Sequence, residues 1–239
     1  MTQWCPSDPV LQQFSGQAPL FPLPNVVLFP HAVLPLHIFE PRYRQMTADA
    51  LEGERLIAMS LLAPEGQTTG AGCPPPVHPM VGLGQIIAHE RLDDGRYMLV
   101  LRGVARARLI REQAVDLGRP YRIGQLELCD DHVPPTADFD RQSRAEEIVS
   151  LFGRLFPGVE FQRLVQQALS IDLPLASVCD VIASALPIKP ELAQLFLDEL
   201  NTDVRSQMLW QLLKRMERPE PSKSSTTATR RFPPSFSSN

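Results

Sequence analysis

The sequence predicts an α+β protein, mostly β-strand in its first half and a helical bundle in its second. Two observations carry this reading. Up to residue 132, short apolar runs are punctuated by prolines and by Asp94-Gly95, a dipeptide suited to a tight hairpin. At Val133-Pro134-Pro135-Thr136 the apolar spacing changes from that of strands to that of helices.

Eight of the 24 prolines fall in the first 41 residues. Because proline donates no ladder hydrogen bond, Phe21 to Pro30 and Leu34 to Phe39 are predicted as short edge strands or extended crossings. Glu40-Pro41-Arg42-Tyr43 opens a helix to about Leu51, with Pro41 suited to its first turn. The apolar run within Arg55–Leu62 reads as a buried strand, and Thr68–Pro79, rich in Gly and Pro, as a loop. Strands follow at Leu83–Arg91, Arg96–Gly103, about Arg106–Arg111 and Tyr121–Cys129.

In the second half Asp138 or Asp140 can cap a helix carrying Ile148, Leu151, Phe152 and Leu155, and Phe161, Leu164, Val165 and Ala168 repeat the spacing. Leu175, Val178, Cys179, Ile182 and Leu186 mark a third helix, and Pro190 starts a fourth. Asn201 or Thr202 caps a fifth, which bears Met208, Leu209, Leu212, Leu213 and Met216. The expected organisation is an extension at 1–17, a mostly-β unit at 18–132, a helical bundle at 138–218 and a disordered tail at 219–239.

With 239 residues, 44% of them hydrophobic and 21% charged, the chain can bury one good core or two small ones. A net charge of -4 provides no global field for nucleic acid or an anionic membrane. No run of about 18 apolar residues occurs and the first residues lack a signal-peptide layout, so a soluble, cytoplasmic protein is expected. Cysteines at 5, 73, 129 and 179 show no C-x-x-C spacing, which fits a reducing compartment.

Motifs for chemistry are sparse. The chain has no Gly-Lys pair, which excludes a phosphate-cradling P-loop, and Gly82-x-Gly84 lacks the third glycine of a dinucleotide fingerprint and reads as turn chemistry. No G-x-S-x-G occurs, and Cys179 falls on the apolar stripe of its helix, where it reads as a small core residue. Cys73, His78, Cys129 and His132 have the donor types of a zinc site, yet their spacing is unlike a knuckle, so neither metal nor cofactor is expected. Strand alternation puts Arg102, Arg106 and Arg108 on one face, opposite Leu101, Ala105, Ala107 and Leu109. That arrangement makes a basic stripe able to meet phosphates or acidic side chains.

The segment Pro19-Leu20-Phe21-Pro22-Leu23-Pro24-Asn25-Val26-Val27-Leu28-Phe29-Pro30, followed by Leu34-Pro35-Leu36-His37-Ile38-Phe39-Glu40-Pro41-Arg42-Tyr43, resembles the opening of the Lon protease amino-terminal, substrate-binding domain. The likeness continues through Val81–Ile86 and Arg102–Arg106 and reaches Gln194–Asp198 and Arg205, about residues 19 to 217 in all. It implies a PUA-like β-barrel followed by a helical bundle, and recognition of polypeptides. Motifs of the ATPase and Ser-Lys protease modules are missing, so the resemblance is to a stand-alone, non-enzymatic domain.

Within the motif, Phe39, Tyr43 and Met46 are spaced to seat the short helix on the barrel, and Glu40 can pair with Arg42. The seam between barrel and bundle is the expected peptide groove. Candidate partner-binding residues are Phe39, Arg42, Tyr43, Arg102, Arg106 and Arg108. The alternative reading, an RNA-binding module, rests on the arginine stripe and on the PUA-like barrel that the resemblance implies.

Overall fold

The structure is a computed structural model that describes residues 9–64, 74–113, 115, 118–158 and 173–217. In chain order it runs α1 (Pro9–Gln12), β1 (Gln17–Leu23), β2 (Val33–Ile38), α2 (Pro41–Glu52), β3 (Leu56–Leu61), β4 (Met80–Arg91), β5 (Tyr97–Gln113) and β6 (Arg122–Cys129). Among the described residues four helices follow: α3 (Arg141–Leu155), α4 (Leu175–Ala185), α5 (Pro190–Asp198) and α6 (Thr202–Glu217). It is thus a mixed α+β fold with one six-stranded sheet, strands preceding helices.

The sheet order is β2-β5-β4-β3-β1-β6, and β6 also pairs with β5. The pairings therefore close a ring of β1, β3, β4, β5 and β6, with β2 attached to β5 over Tyr97–Arg102. Where the sequence suggests two strands, Tyr97–Gln113 is a single strand that pairs with β2 along its first part and β6 along its second.

The proline-rich strands divide as their hydrogen bonding requires. β2, with Pro35, pairs with β5 alone among the described residues and is an edge strand. β1 is not an edge, contrary to the sequence reading, because it pairs with β6 over Gln17–Leu20 and with β3 over Leu20–Leu23. Pro19 lies where only β6 is adjacent and Pro22 where only β3 is, so neither proline faces two partners.

Three apolar clusters hold the molecule. One, with Leu20, Leu56, Val81, Leu83 and Ala107, fills the ring and takes Leu11 from α1. A second packs α2 on the sheet through Tyr43, Met46 and Ala50 against Phe21, Ile57 and Ile86. The third joins α3 to α6 around Ile148, Phe152, Cys179, Phe196 and Leu209, and receives Phe29 and Met80 from the strand half.

Gly82 and Gly103 explain how Leu28 and Phe29 reach these clusters. A Cβ at Gly82 would collide with the Leu28 carbonyl and one at Gly103 with the Phe29 carbonyl. Both glycines lie inside strands, so Gly82 marks a close backbone approach rather than the turn expected from sequence.

The helix starts follow local chemistry. Asp140, of the two candidates, caps α3 by accepting the Ser143 amide at 2.7 Å. Asn201 caps α6, its Oδ1 accepting the Asp203 and Val204 amides at 3.0 and 3.2 Å. Pro41 and Pro190 occupy first turns. The helix expected around Phe161–Ala168 and the tail at 219–239 lie outside the described residues.

Candidate functional site

Among the described residues, the seam between strands and helices is bridged by a buried polar network. Arg106, 2% exposed, donates from both terminal nitrogens to Asp180 at 2.7 and 2.5 Å and from Nε to the Leu197 carbonyl at 3.1 Å. Asp180 lies on α4 and is itself 1% exposed. Arg205 of α6 reaches Asp131 at 2.8 Å, the Glu199 carbonyl at 2.7 Å and Asp180 at 3.5 Å. Gln194 of α5 donates to the Met80 carbonyl at 3.0 Å. Two buried arginines thus share buried Asp180 and the partly exposed Asp131, and the network ties β5 to α4, α5 and α6.

This geometry corrects two expectations. At Arg106 and Arg205 the described seam is occupied by ion pairs where an open groove was anticipated. The arginines do not form one free stripe either. Ala105, Ala107 and Leu109 do pack inside the ring, but the opposite face is covered by helices at Arg106. Arg102 is half-buried and donates to Gln85 Oε1 at 2.7 Å, and Arg108 alone of the three is exposed.

The motif residues fare differently. Tyr43 and Met46 seat α2 as expected, and Arg42 pairs with Glu40 at 2.9 Å. Phe39 does not help to seat it. Strand alternation sends Ile38 into the core and leaves Phe39 61% exposed, its ring 6.0 Å from that of His37.

A groove of about 210 Å³ opens where the amino-terminal turn of α2 meets β1 and the start of β6. Leu20, Pro22, Leu62, Pro74, Pro75, Val115 and Pro120 give it apolar walls, while Tyr43, Tyr121, Arg42 and Arg122 supply polar tips. The proline-rich sequence builds this wall because extended, proline-fixed backbone presents its rings sideways without helix or ladder hydrogen bonds.

Each polar group is oriented by a neighbour. The Arg42 guanidinium lies 4.4 Å above the Tyr43 ring, which in turn packs 4.5 Å from Phe21. Arg122 is held by Glu112 at 2.6 and 2.5 Å and by the Pro75 carbonyl at 2.9 Å. Tyr121 donates to Asp49 at 2.6 Å. Burial raises the pKa of both phenols, most strongly that of Tyr121, where the Asp49 hydrogen bond adds to it. They are neutral hydrogen-bonding groups near pH 7, suited to binding rather than to nucleophilic attack.

A second hollow, of about 310 Å³, continues past Tyr121 between α2 and β1, with Asp49, Glu54 and Arg119 on its rim. A third, of about 560 Å³, lies between α2 and the β4–β5 turn. It is polar, with Arg44, Arg91 and Asp94 around it.

Of the metal candidates, Cys73 lies outside the described residues. Among the described residues no group of three or more His, Cys, Asp or Glu side chains could hold a metal ion. Cys179 is buried in the helical core, as its stripe position implied. Sequence reasoning missed the Asp180 network. The signal was available, since a carboxylate amid Val178, Cys179, Val181 and Ile182 requires a buried cation. No helix of the described residues is long and apolar enough to cross a membrane.

Comparison with known proteins agrees with the resemblance. The family model for the ATP-dependent protease La (LON) substrate-binding domain matches residues 17–215. A Lon protease of Desulfosudis oleivorans is 26% identical over 193 residues, covering 78% of this chain and 22% of that protein. One of Dictyoglomus thermophilum is 24% identical over 205 residues, covering 82% and 24%. The chain therefore spans under a quarter of the length of either relative. Among solved structures, a Lon N-terminal domain protein from Xanthomonas campestris superposes with a TM-score of 0.57 at 23% identity, covering 81% of this chain and 96% of that one. The N-terminal domain of a Mycobacterium avium complex Lon protease also gives 0.57, at 16% identity, covering 83% and 98%.

Proposed function

The chain belongs to the LON substrate-binding domain family, and on that premise we propose that it is a non-enzymatic polypeptide-binding module. Its clients are unfolded or partner proteins, and a protease system is the natural recipient of what it captures. We read the ring of strands as a PUA-like barrel and the four later helices as a bundle, the pair working in the cytoplasm. The free thiols of Cys129 and Cys179 are consistent with that compartment.

The observation that carries the reading is the groove beside Tyr43 and Tyr121. It is apolar, it is bordered by oriented hydrogen-bonding groups, and it joins two of the residues that the family motif singles out, Arg42 and Tyr43. An apolar or proline side chain that fills it gains about 2 kcal/mol from burial, while Arg42 and the Tyr43 phenol can donate to the adjoining peptide carbonyls and the Tyr121 oxygen can accept from a peptide amide. Such a site binds many sequences weakly, as capture of unfolded chains requires. Phe39, 61% exposed at the end of the edge strand β2, offers a further apolar contact.

The test is binding of a fluorescent, reduced and carboxymethylated polypeptide, followed by anisotropy. We expect affinity that changes less than about threefold between 50 and 300 mM salt and weakens at least fivefold in Arg42→Glu and in Val115→Asp. Loss of binding with rising salt, unaltered in both variants, would reject the groove.

A further inference from the structure

We propose that the segment Arg230-Arg231-Phe232-Pro233-Pro234-Ser235-Phe236 docks in the Tyr43–Tyr121 groove of its own chain and competes there with polypeptide clients. The inference rests on the reading of that groove as the polypeptide site and adds a built-in regulator to it.

Three observations point to this occupant. First, the groove's walls are prolines and two tyrosines, the surface on which proline-rich segments dock, because fixed proline φ angles cost little entropy on binding. Beyond Glu217 the aromatic residues are Phe232 and Phe236, and they flank Pro233-Pro234. Second, charge is complementary. The groove's own Arg42 and Arg122 are paired with Glu40 and Glu112, and the hollow that continues past Tyr121 carries Asp49 and Glu54 against Arg119, leaving one negative charge to meet Arg230-Arg231. The Asp49 and Glu54 carboxylates use only part of their accepting capacity, on Tyr121 and on the Ser15 amide.

Third, the segment can reach. The 14 residues at 218–231, between Glu217 and Phe232, span up to about 50 Å when extended. A domain of about 200 residues has a radius of gyration of about 17 Å, so a linker of that length matches the domain's diameter. A segment tethered this way has an effective concentration of about 1 mM. Against an intrinsic Kd of about 0.1–0.5 mM, that weakens a competing client about three- to tenfold.

The experiment uses the full chain in two forms. In the first, Phe232→Ala with Phe236→Ala removes the aromatic anchors without touching the folded residues. Binding of the reduced, carboxymethylated polypeptide should then tighten about three- to tenfold. In the second, Phe232→p-benzoylphenylalanine is irradiated without client and its crosslinks are mapped by mass spectrometry. They should fall within one chain, on residues 20–22, 42–43 and 120–122, with a yield independent of protein concentration.

Crosslinks between chains, or onto the exposed Phe39–Val33–Met98 surface, overturn the proposal, as does client affinity unchanged by the double substitution. If neither the unsubstituted chain nor the double-alanine variant binds client while crosslinks still fall in the groove, docking stands and the polypeptide-binding reading fails. If the unsubstituted chain and the double-alanine variant bind client equally and crosslinks fall elsewhere, the binding reading stands and docking fails.

Discussion

Replacing Asp180 by Asn removes one negative charge from the seam while keeping its shape. Asp180 is 1% exposed and accepts two charge-assisted hydrogen bonds from Arg106, with Arg205 3.5 Å away. After the change, two buried guanidinium groups share the carboxylate of Asp131 alone, which lies 3.5 Å from Arg106 and 2.8 Å from Arg205. Removing one partner of a buried pair costs about 3–5 kcal/mol, chiefly because the remaining charge stays desolvated. In a domain of about 200 residues each kcal/mol moves Tm by roughly 2–4 °C, so Asp180→Asn should lower Tm by roughly 8–15 °C.

Urea unfolding followed by circular dichroism measures this directly, with the midpoint falling while the slope stays constant. Asp94→Asn is the control, since its pair with Arg96 is exposed on both sides and should leave the midpoint where it was. Arg106→Met combined with Asp180→Leu removes both charges and should recover most of the loss. A fall of less than about 1 kcal/mol in Asp180→Asn, or a double variant no better than the single one, would refute the seam as a buried ionic tie.

Three further outcomes follow from the geometry. Burial pushes the Cys179 thiol up to about 12, so in native protein at pH 8 it should resist maleimide, and its labelling rate in urea should track unfolding; fast labelling in buffer contradicts its place in the core. The Tyr121 phenol is held above its ordinary value near 10 by burial and by Asp49. Its contribution to stability is complete below pH 10 and is lost as pH rises above that, because the unfolded chain then releases a proton that the folded chain retains. Tyr121→Phe should therefore flatten the decline of Tm between pH 9.5 and 11, and an unchanged slope would count against the Asp49 contact. Gly103→Ala places a Cβ against the Phe29 carbonyl and should cost about 1–3 kcal/mol in urea unfolding, whereas Gly153→Ala, with open space at its Cβ, should cost nothing.

Much of the fold is legible because its signals are local. Prolines at helix starts, the caps at Asp140 and Asn201, the Asp94-Gly95 turn and the change of period after Val133 each act over a few residues, and the structure follows them. What the sequence hides is what covers what. Alternation sets Arg106 opposite Ala105 and Ala107, but it cannot reveal that α4 and α5 lie over Arg106, nor the bulge at Val104 that separates Arg102 from the other two arginines. The same limit applies to Phe39, whose spacing suits a helix seat although it directly follows β2 and is left exposed beside the buried Ile38. β1 looked like an edge because two prolines in seven residues argue against a central strand. Only the staggered pairing with β6 and β3 reconciles them. The groove was half legible: Arg42 and Tyr43 stand in the motif, while Tyr121 and Pro74 join them only through long-range strand pairing.

The most direct test of the central claim is to titrate a reduced, carboxymethylated polypeptide into isotope-labelled protein and follow backbone amide shifts. The account predicts saturable changes at Leu20, Arg42, Tyr43, Leu62 and Tyr121, with the amides of Arg106, Asp180 and Gln194 unmoved. Changes centred on those seam residues, with the groove silent at saturation, would contradict it.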